Sequence, residues 1–457
     1  MTPRAGAQSP SLAALLSFVW PGLGQFYLGR IRAAVIFALP SLVAVLLLAY
    51  ELRRGAIVFA AELFADRTVG LATIGILALL GAWRLVSIVH ASLSARAGSR
   101  LRATDKAALA AMVALVVLTH LTGGYYLLSF SDAGAQVFDP LNAGLITQAT
   151  AAPSPSAGLT SGPTTSAEPL ATPAGDGRVT ILLTGTSSGN SSHLYDSIMV
   201  VSYNPADNSV QMVSVPRDSA SFPFYFGGVD SPSAKLNALP TYVRSGRIKS
   251  PDTPYTTLVK EVQYLVGIPI NYYAVMNIDG FMAMIDKVGG IDIVNSVPIY
   301  DRTYDWLDGS PYGFSLSAGP QHLNGRTALA YVRSRHGAGD SDWKRASRQQ
   351  QVLVVLVHKM AQPAQLLKLP ALFKLLGTSL ATDFPANEVA DYVAWAQGVP
   401  SSHITQVVLG PPYTITGVSA TNAANCLLNA KVAALSIQLF GTDSLWSGKP
   451  APANTCP

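Results

Sequence analysis

Three short segments concentrate residues able to handle phosphate. Val215-Pro216-Arg217-Asp218 ends an apolar run with an arginine beside an acid. Ala330-Tyr331-Val332-Arg333-Ser334-Arg335 sets two arginines at i and i+2, which on a strand puts both on one side. Their Cα atoms would then be roughly 7 Å apart, and at an effective dielectric of 20 the charges repel by roughly 2 kcal/mol. A stable domain tolerates that best where an anion sits between them. Arg345 and Arg348 follow at helical i, i+3 spacing, with Gln349 beside them. Guanidinium forks suit phosphate oxygens. The alternative is a solvated basic edge neutralised by Asp340 and Asp342. Asp218 is a candidate general base and equally a candidate ion-pair partner of Arg217.

Strands and helices must position these groups. Residues 179–184, 197–203 and 210–215 are short β-branched or apolar runs, the last two joined by the turn Asn204-Pro205-Ala206-Asp207-Asn208. Residues 257–266, 280–288 and 343–359 have helical spacing, residues 291–294 form a strand after Gly289-Gly290, and residues 328–333 read as a strand. Strands alternating with helices argue for a layered α/β domain. The stretches 366–380 and 427–440 read as further packing helices. The apolar stripe Phe281, Met282, Met284 and Ile285 fits either plain core or the wall of an apolar channel.

The 457-residue chain is 49% hydrophobic and only 12% charged. The apolar excess lies before Phe130, where residues 33–50, 69–83 and 107–130 each approach the roughly 20 residues needed to span a bilayer. Residues 12–28 are apolar but broken by Pro21, Gly22 and Gly24, which implies a re-entrant or helical hairpin. Arg96, Arg100, Arg102 and Lys106 between the last two spans place that loop inside the cell and everything after Phe130 outside. Arg84 is expected to snorkel at the inner interface. The net charge of +5 comes without a basic stripe or reading helix, which argues against nucleic acid. Residues 148–177 are an Ala/Pro/Ser/Thr/Gly tract that can bury no core. The expected organisation is a membrane region over 1–130, a linker over 131–177, a globular domain over 178–445 and a tail over 446–457. The two cysteines, Cys426 and Cys456, have no metal-site spacing, and in an exported domain a disulfide between them is the favoured state.

The series ILLTG, YDSIMVVSYNP, VSVPRDS, KLNAL, NIDGF, VGGIDI, AGPQHLNGRTALAYVRSRH and GDSDWKRASRQQ, from about Val179 to Val354, resembles the LytR-CpsA-Psr family. The resemblance implies a layered α/β/α domain with a central mixed sheet, tethered outside the membrane. It implies a phosphotransferase that moves a glycopolymer from a polyprenyl-diphosphate carrier to peptidoglycan. By position it implies that Arg217, Arg333 and Arg335 hold the diphosphate, with Lys235, Arg345 and Gln349 as further contacts, and that Asp196 binds Mg²⁺. Two positions depart from the family pattern. Ser187 stands where an acid is usual, and Leu194 where an arginine is usual; a serine hydroxyl at Ser187 can ligate Mg²⁺ but brings no charge. A diphosphate hydrolase and a non-catalytic envelope receptor for lipid-linked glycan are the alternative functions for the same residues.

Overall fold

The computed structural model describes residues 9–95, 101–137, 177–186, 194–229, 235–306, 308–337, 340–385, 388–418 and 424–456. The expected linker core and Ser187 lie outside these residues. The chain forms two compact units, Met1–Ala135 and Gln136–Pro457.

The first unit is helical. Helices α1 (Pro10–Val19) and α2 (Leu23–Tyr27) flank a break at Pro21-Gly22, where Gly22 takes φ 101°, a conformation that favours glycine. Helices α3 (Ile31–Leu52), α5 (Arg67–Ala95) and α6 (Ala103–Val137) contain segments long and apolar enough to cross a membrane. A short apolar helix, α4 (Ala56–Ala65), occupies what the sequence suggests is a plain loop, and α6 runs beyond the expected end at Phe130. Buried Gln25 ties the broken hairpin to α5 by donating to the Ser87 carbonyl at 3.0 Å and accepting from Ser17 Oγ at 3.1 Å. Arg84 does not simply snorkel. Its guanidinium donates to the Phe18 carbonyl, and to that of Val19 at 3.2 Å, so it satisfies acceptors left open where α1 ends.

The second unit is built on a mixed six-stranded sheet of order β10-β3-β2-β1-β4-β9. Its strands are β1 (Val179–Thr186), β2 (Tyr195–Asn204), β3 (Ser209–Ser214), β4 (Tyr272–Asn277), β9 (Leu380–Thr382) and β10 (Ile404–Val408). Because side chains alternate along a strand, each strand serves both faces. Leu182, Ile198, Val200 and Val213 pack on one face against Leu258 and Val262 of α8 (Pro254–Val266) and Leu435 and Phe440 of α14 (Asn429–Phe440). Leu183, Met199, Ala274 and Met276 point to the other face, beneath α9 (Ile278–Val288), α10 (Gly325–Arg333) and α11 (Asp342–Met360). Gly325 lets α10 approach α9 closely, since a Cβ there would stand 2.2 Å from the Met282 carbonyl oxygen.

Residues 325–333 are helix, not strand. Asn324 caps α10 by accepting from the Thr327 N–H, and the Ala-Leu-Ala stretch favours helix once that cap is set. Arg333 therefore ends a helix and Arg335 lies in the loop beyond it, so they do not share a strand face. Likewise Tyr272–Asn277 is strand β4 ahead of α9, and of the expected stripe only Phe281 faces a cavity; Met284 and Ile285 are core. Cys426, on β12 (Asn425–Leu427), is bonded to Cys456. Residues 446–456 do not trail away: Trp446 is buried and Asn429 donates to the Ala453 carbonyl at 2.7 Å.

Candidate active site

Two adjoining cavities open on the second sheet face. One is a polar cleft lined by Asp196, Arg217, Asp218, Asp342, Arg345 and Gln349. The other is an apolar cavity of about 240 Å³ lined by strands β1, β2 and β4 and by Phe281, Leu329, Val332, Arg333, Leu353 and Leu356. Asp196, Ser197 and Gln349 border both.

Local backbone features aim these groups. The β1–β2 register jumps from Gly185↔Ser197 to Thr186↔Tyr195, leaving Asp196 as the extra residue of a bulge, a device that re-aims a side chain. Arg217 follows β3, where Pro216 ends the ladder. Helix α11, capped by Ser341, carries Arg345 and Gln349 one turn apart, hence on one face.

The charges are partly compensated. Arg217 pairs with Asp196, and Asp218 accepts from Lys235 at 2.8 Å. Arg217 Nε lies 3.6 Å from Asp218, beyond hydrogen-bond reach, and is buried without a hydrogen-bond partner among the described residues. Arg333 Nη1 is likewise buried and unpartnered among them. Burial, then the neighbouring Arg217, then Arg335 hold the Arg345 guanidinium below the ordinary arginine value, against Asp342 and Asp218. An arginine shifted in this direction still carries its charge. Buried guanidinium nitrogens facing cavities lack an anionic partner, and a phosphate oxygen matches their chemistry.

The profile of the LytR_cpsA_psr family matches residues 148–433, well over half of the chain. The chain belongs to that family. Relatives include the polyisoprenyl-teichoic acid–peptidoglycan teichoic acid transferase TagU of Halalkalibacterium halodurans, 29% identical over 231 residues, which make up 49% of this chain and 68% of the relative. TagV of Bacillus subtilis is 30% identical over 42% of this chain, but the match spans only 46% of that relative's length. The crystal structure of B. subtilis TagV aligns with a TM-score of 0.46 and 22% identity, covering 60% of this chain and 98% of that one.

Within this family member the expected site residues fall into distinct positions. Asp196, Arg217, Asp218, Arg345 and Gln349 line the cleft, and Arg333 lines the apolar cavity. Arg335 is near enough to influence Arg345, whereas Lys235 is engaged by Asp218. Arg348 takes no part in an anion site. It forms an ion pair with Asp340 at 3.0 Å, the side chains being 10% and 6% exposed, and it donates to the Ser334 carbonyl. Asp342 pairs with Arg345 at 3.0 Å.

Asp301 went unnoticed in the sequence. It is buried and accepts from Ser334 Oγ at 2.8 Å and from the N–H groups of Arg335 at 3.3 Å and His336 at 3.2 Å. Burial pushes its carboxyl up, but the bonds from Ser334, Thr303, His336 and Arg335 outweigh that and hold it below the usual carboxylate range. Asp301 and Arg348 thus fix the loop that presents Arg333 and Arg335. Their only sequence signal is acids at otherwise unexplained positions.

Metal fit is narrow. Among the described residues no group of three His, Cys, Asp or Glu side chains stands together. Asp196 is a single carboxylate already paired with Arg217, a donor set that suits Mg²⁺ only if substrate phosphate oxygens complete the shell.

Proposed function

We propose that the protein transfers a glycopolymer phosphate from a polyprenyl-diphosphate-linked donor to a sugar hydroxyl of peptidoglycan, releasing polyprenyl monophosphate. The observation that carries this reading is the pair of unpartnered buried guanidinium nitrogens, on Arg217 and Arg333, where a charged cleft adjoins an apolar cavity. A substrate that is apolar at one end and doubly phosphorylated where the apolar part stops matches that juxtaposition. The names of the TagU and TagV relatives support the same reaction class.

In this reading Arg217, Arg333, Arg335 and Arg345 bind the diphosphate, Gln349 orients it and the apolar cavity takes the start of the polyprenyl chain. The acceptor oxygen bonds to the phosphorus that bears the glycan, and the bond from that phosphorus to the bridging oxygen breaks. Catalysis then rests on positioning and on spreading positive charge over the phosphoryl oxygens. Asp196, with Ser187, would hold Mg²⁺, which would add neutralising charge to the diphosphate. Lys235 acts through Asp218, keeping that carboxylate beside Arg217.

The basic residues Arg30, Arg32, Arg102 and Lys106 support an orientation with α6 leading out of the cell and the second unit in the envelope. Thiol labelling of intact cells after reduction tests this through Cys426 and Cys456; labelling that requires permeabilised membranes refutes it. The reaction is tested with the full chain in detergent, a synthetic polyprenyl-diphosphate disaccharide and isolated peptidoglycan. Wild type is expected to form a phosphodiester-linked product. Release of the disaccharide phosphate to water, at the same rate with or without peptidoglycan, would make the protein a hydrolase instead.

A further inference from the structure

The phosphotransfer reading leaves two tasks unassigned: holding the acceptor sugar and receiving its hydroxyl proton. The carboxylates of the cleft are poorly suited to the second. Asp218 is engaged by Lys235 at 2.8 Å and flanked by Arg217, and Asp196 is held by Arg217. Close positive charge favours the ionised carboxylate and makes it a weak base.

The opposite rim offers different chemistry. Strand β6 (Ile299–Asp301) sends Asp301 inward, where it grips the loop through Ser334, Arg335 and His336. Alternation turns its neighbour Tyr300 outward, and that side chain is 63% exposed. Gly337 lies against the Tyr300 backbone, since a Cβ built there would stand 3.4 to 3.6 Å from it. His336 is exposed, and its Nε2 accepts from Arg335 Nε at 3.1 Å. An exposed aromatic ring, an imidazole and a phosphate-binding arginine therefore meet where β6 touches this loop.

We propose that this junction is the acceptor-sugar subsite, in which Tyr300 supports the C–H face of a peptidoglycan sugar ring and His336 takes the proton from the attacking hydroxyl. The proposal rests on the phosphotransfer reading. Until donor binds, Arg335 occupies the Nε2 lone pair; when its guanidinium turns to the diphosphate, that lone pair is released. The hydroxyl proton passes to His336 Nε2 as the new oxygen–phosphorus bond forms, and the bridging oxygen keeps the electron pair of the bond it loses and departs on polyprenyl phosphate. The base is thereby uncovered only when there is a donor to attack.

The test uses the full-length chain, the synthetic polyprenyl-diphosphate disaccharide and a soluble peptidoglycan oligosaccharide. His336→Ala should lower kcat by ~10²-fold or more, the usual contribution of a general base. It should leave binding of a polyprenyl diphosphate unchanged and recover part of the rate on addition of imidazole. Tyr300→Ala should raise the acceptor KM several-fold with donor binding intact, and Tyr300→Phe should restore it. Wild-type turnover by His336→Ala, a loss that imidazole does not repair, or a loss of donor binding would each overturn the assignment, as would an unchanged acceptor KM in Tyr300→Ala. A wild-type protein that neither binds the donor nor transfers it would instead refute the phosphotransfer reading itself.

Discussion

The two faces of the central sheet are made by the same strands, yet one is closed and the other is not. Leu182, Ile198, Val200 and Val213 meet α8 and α14 in a continuous core. One residue along, Leu183, Met199 and Ala274 border a cavity of about 240 Å³. Interiors are normally close-packed, so a void bordered by charged cleft residues is more consistent with a ligand space than with poor packing. Strand alternation alone divides stability from function here.

Substitutions on the two faces sharpen the contrast. On the closed face, Leu182→Ala should cost about 2–5 kcal/mol, the usual range for a buried leucine lost from a core. Denaturant unfolding should register the loss, with transfer per folded molecule preserved. At the border of the open face, Arg333→Ala should reduce transfer by ~10²-fold or more, as for loss of a donor to transition-state charge. Its thermal unfolding should be unchanged, because Nη1 gives up no hydrogen bond. A destabilised but active Arg333→Ala would make that arginine structural. Filling tests the cavity: Ala274→Leu should leave the melting temperature level or higher, since the added carbons enter open space, while turnover of a long-chain donor falls. An equal enlargement on the closed face, Val200→Leu, should instead destabilise by about 1–3 kcal/mol through overpacking. Destabilisation by Ala274→Leu would remove the distinction between the faces.

The smallest effect concerns pH. Burial raises the Asp383 carboxyl to about 7, against the opposing pull of the Tyr273 N–H, which donates to it at 2.6 Å. The folded protein therefore holds a proton that the unfolded chain releases from about pH 4 upward, and stability declines as pH rises from there to about 7. Asp383→Asn should flatten that slope, melting above wild type near pH 8 and with it near pH 4. A parallel decline in the variant would place the titration elsewhere.

The sequence made the scaffold more legible than the site. β-Branched runs marked β1 to β3, and capped amphipathic stretches marked α8, α9 and α11, because period and propensity agreed there. Residues 325–333 misled because Ala-Tyr-Val-Arg is short enough to suit either state, and the Asn324 cap decides it. The arginines stood out by type, but their division of labour did not. Arg345 and Arg348 look alike at i, i+3, yet only Arg345 faces the cleft, while Arg348 turns to Asp340. Nor does local spacing announce that Asp301 reaches Ser334 across 33 positions, or that a bulge redirects Asp196.

The wall shared by the two cavities has a consequence for substrate choice. Asp196, Ser197 and Gln349 border both spaces, so the boundary between oil and charge is no thicker than a few side chains. Such a boundary works as a gauge, reading where along a lipid the hydrocarbon stops. A diphosphate joined directly to its hydrocarbon chain satisfies both sides at once. A glycerol-based lipid carrying the same headgroup would set ester oxygens against the apolar wall, or else draw its phosphates back from the arginines. Discrimination among the lipids of the envelope would then arise from length along one axis, without recognition of the glycan. Replacing the polyprenyl chain of the donor by diacylglycerol should cost far more turnover than shortening the polyprenyl chain by a few units.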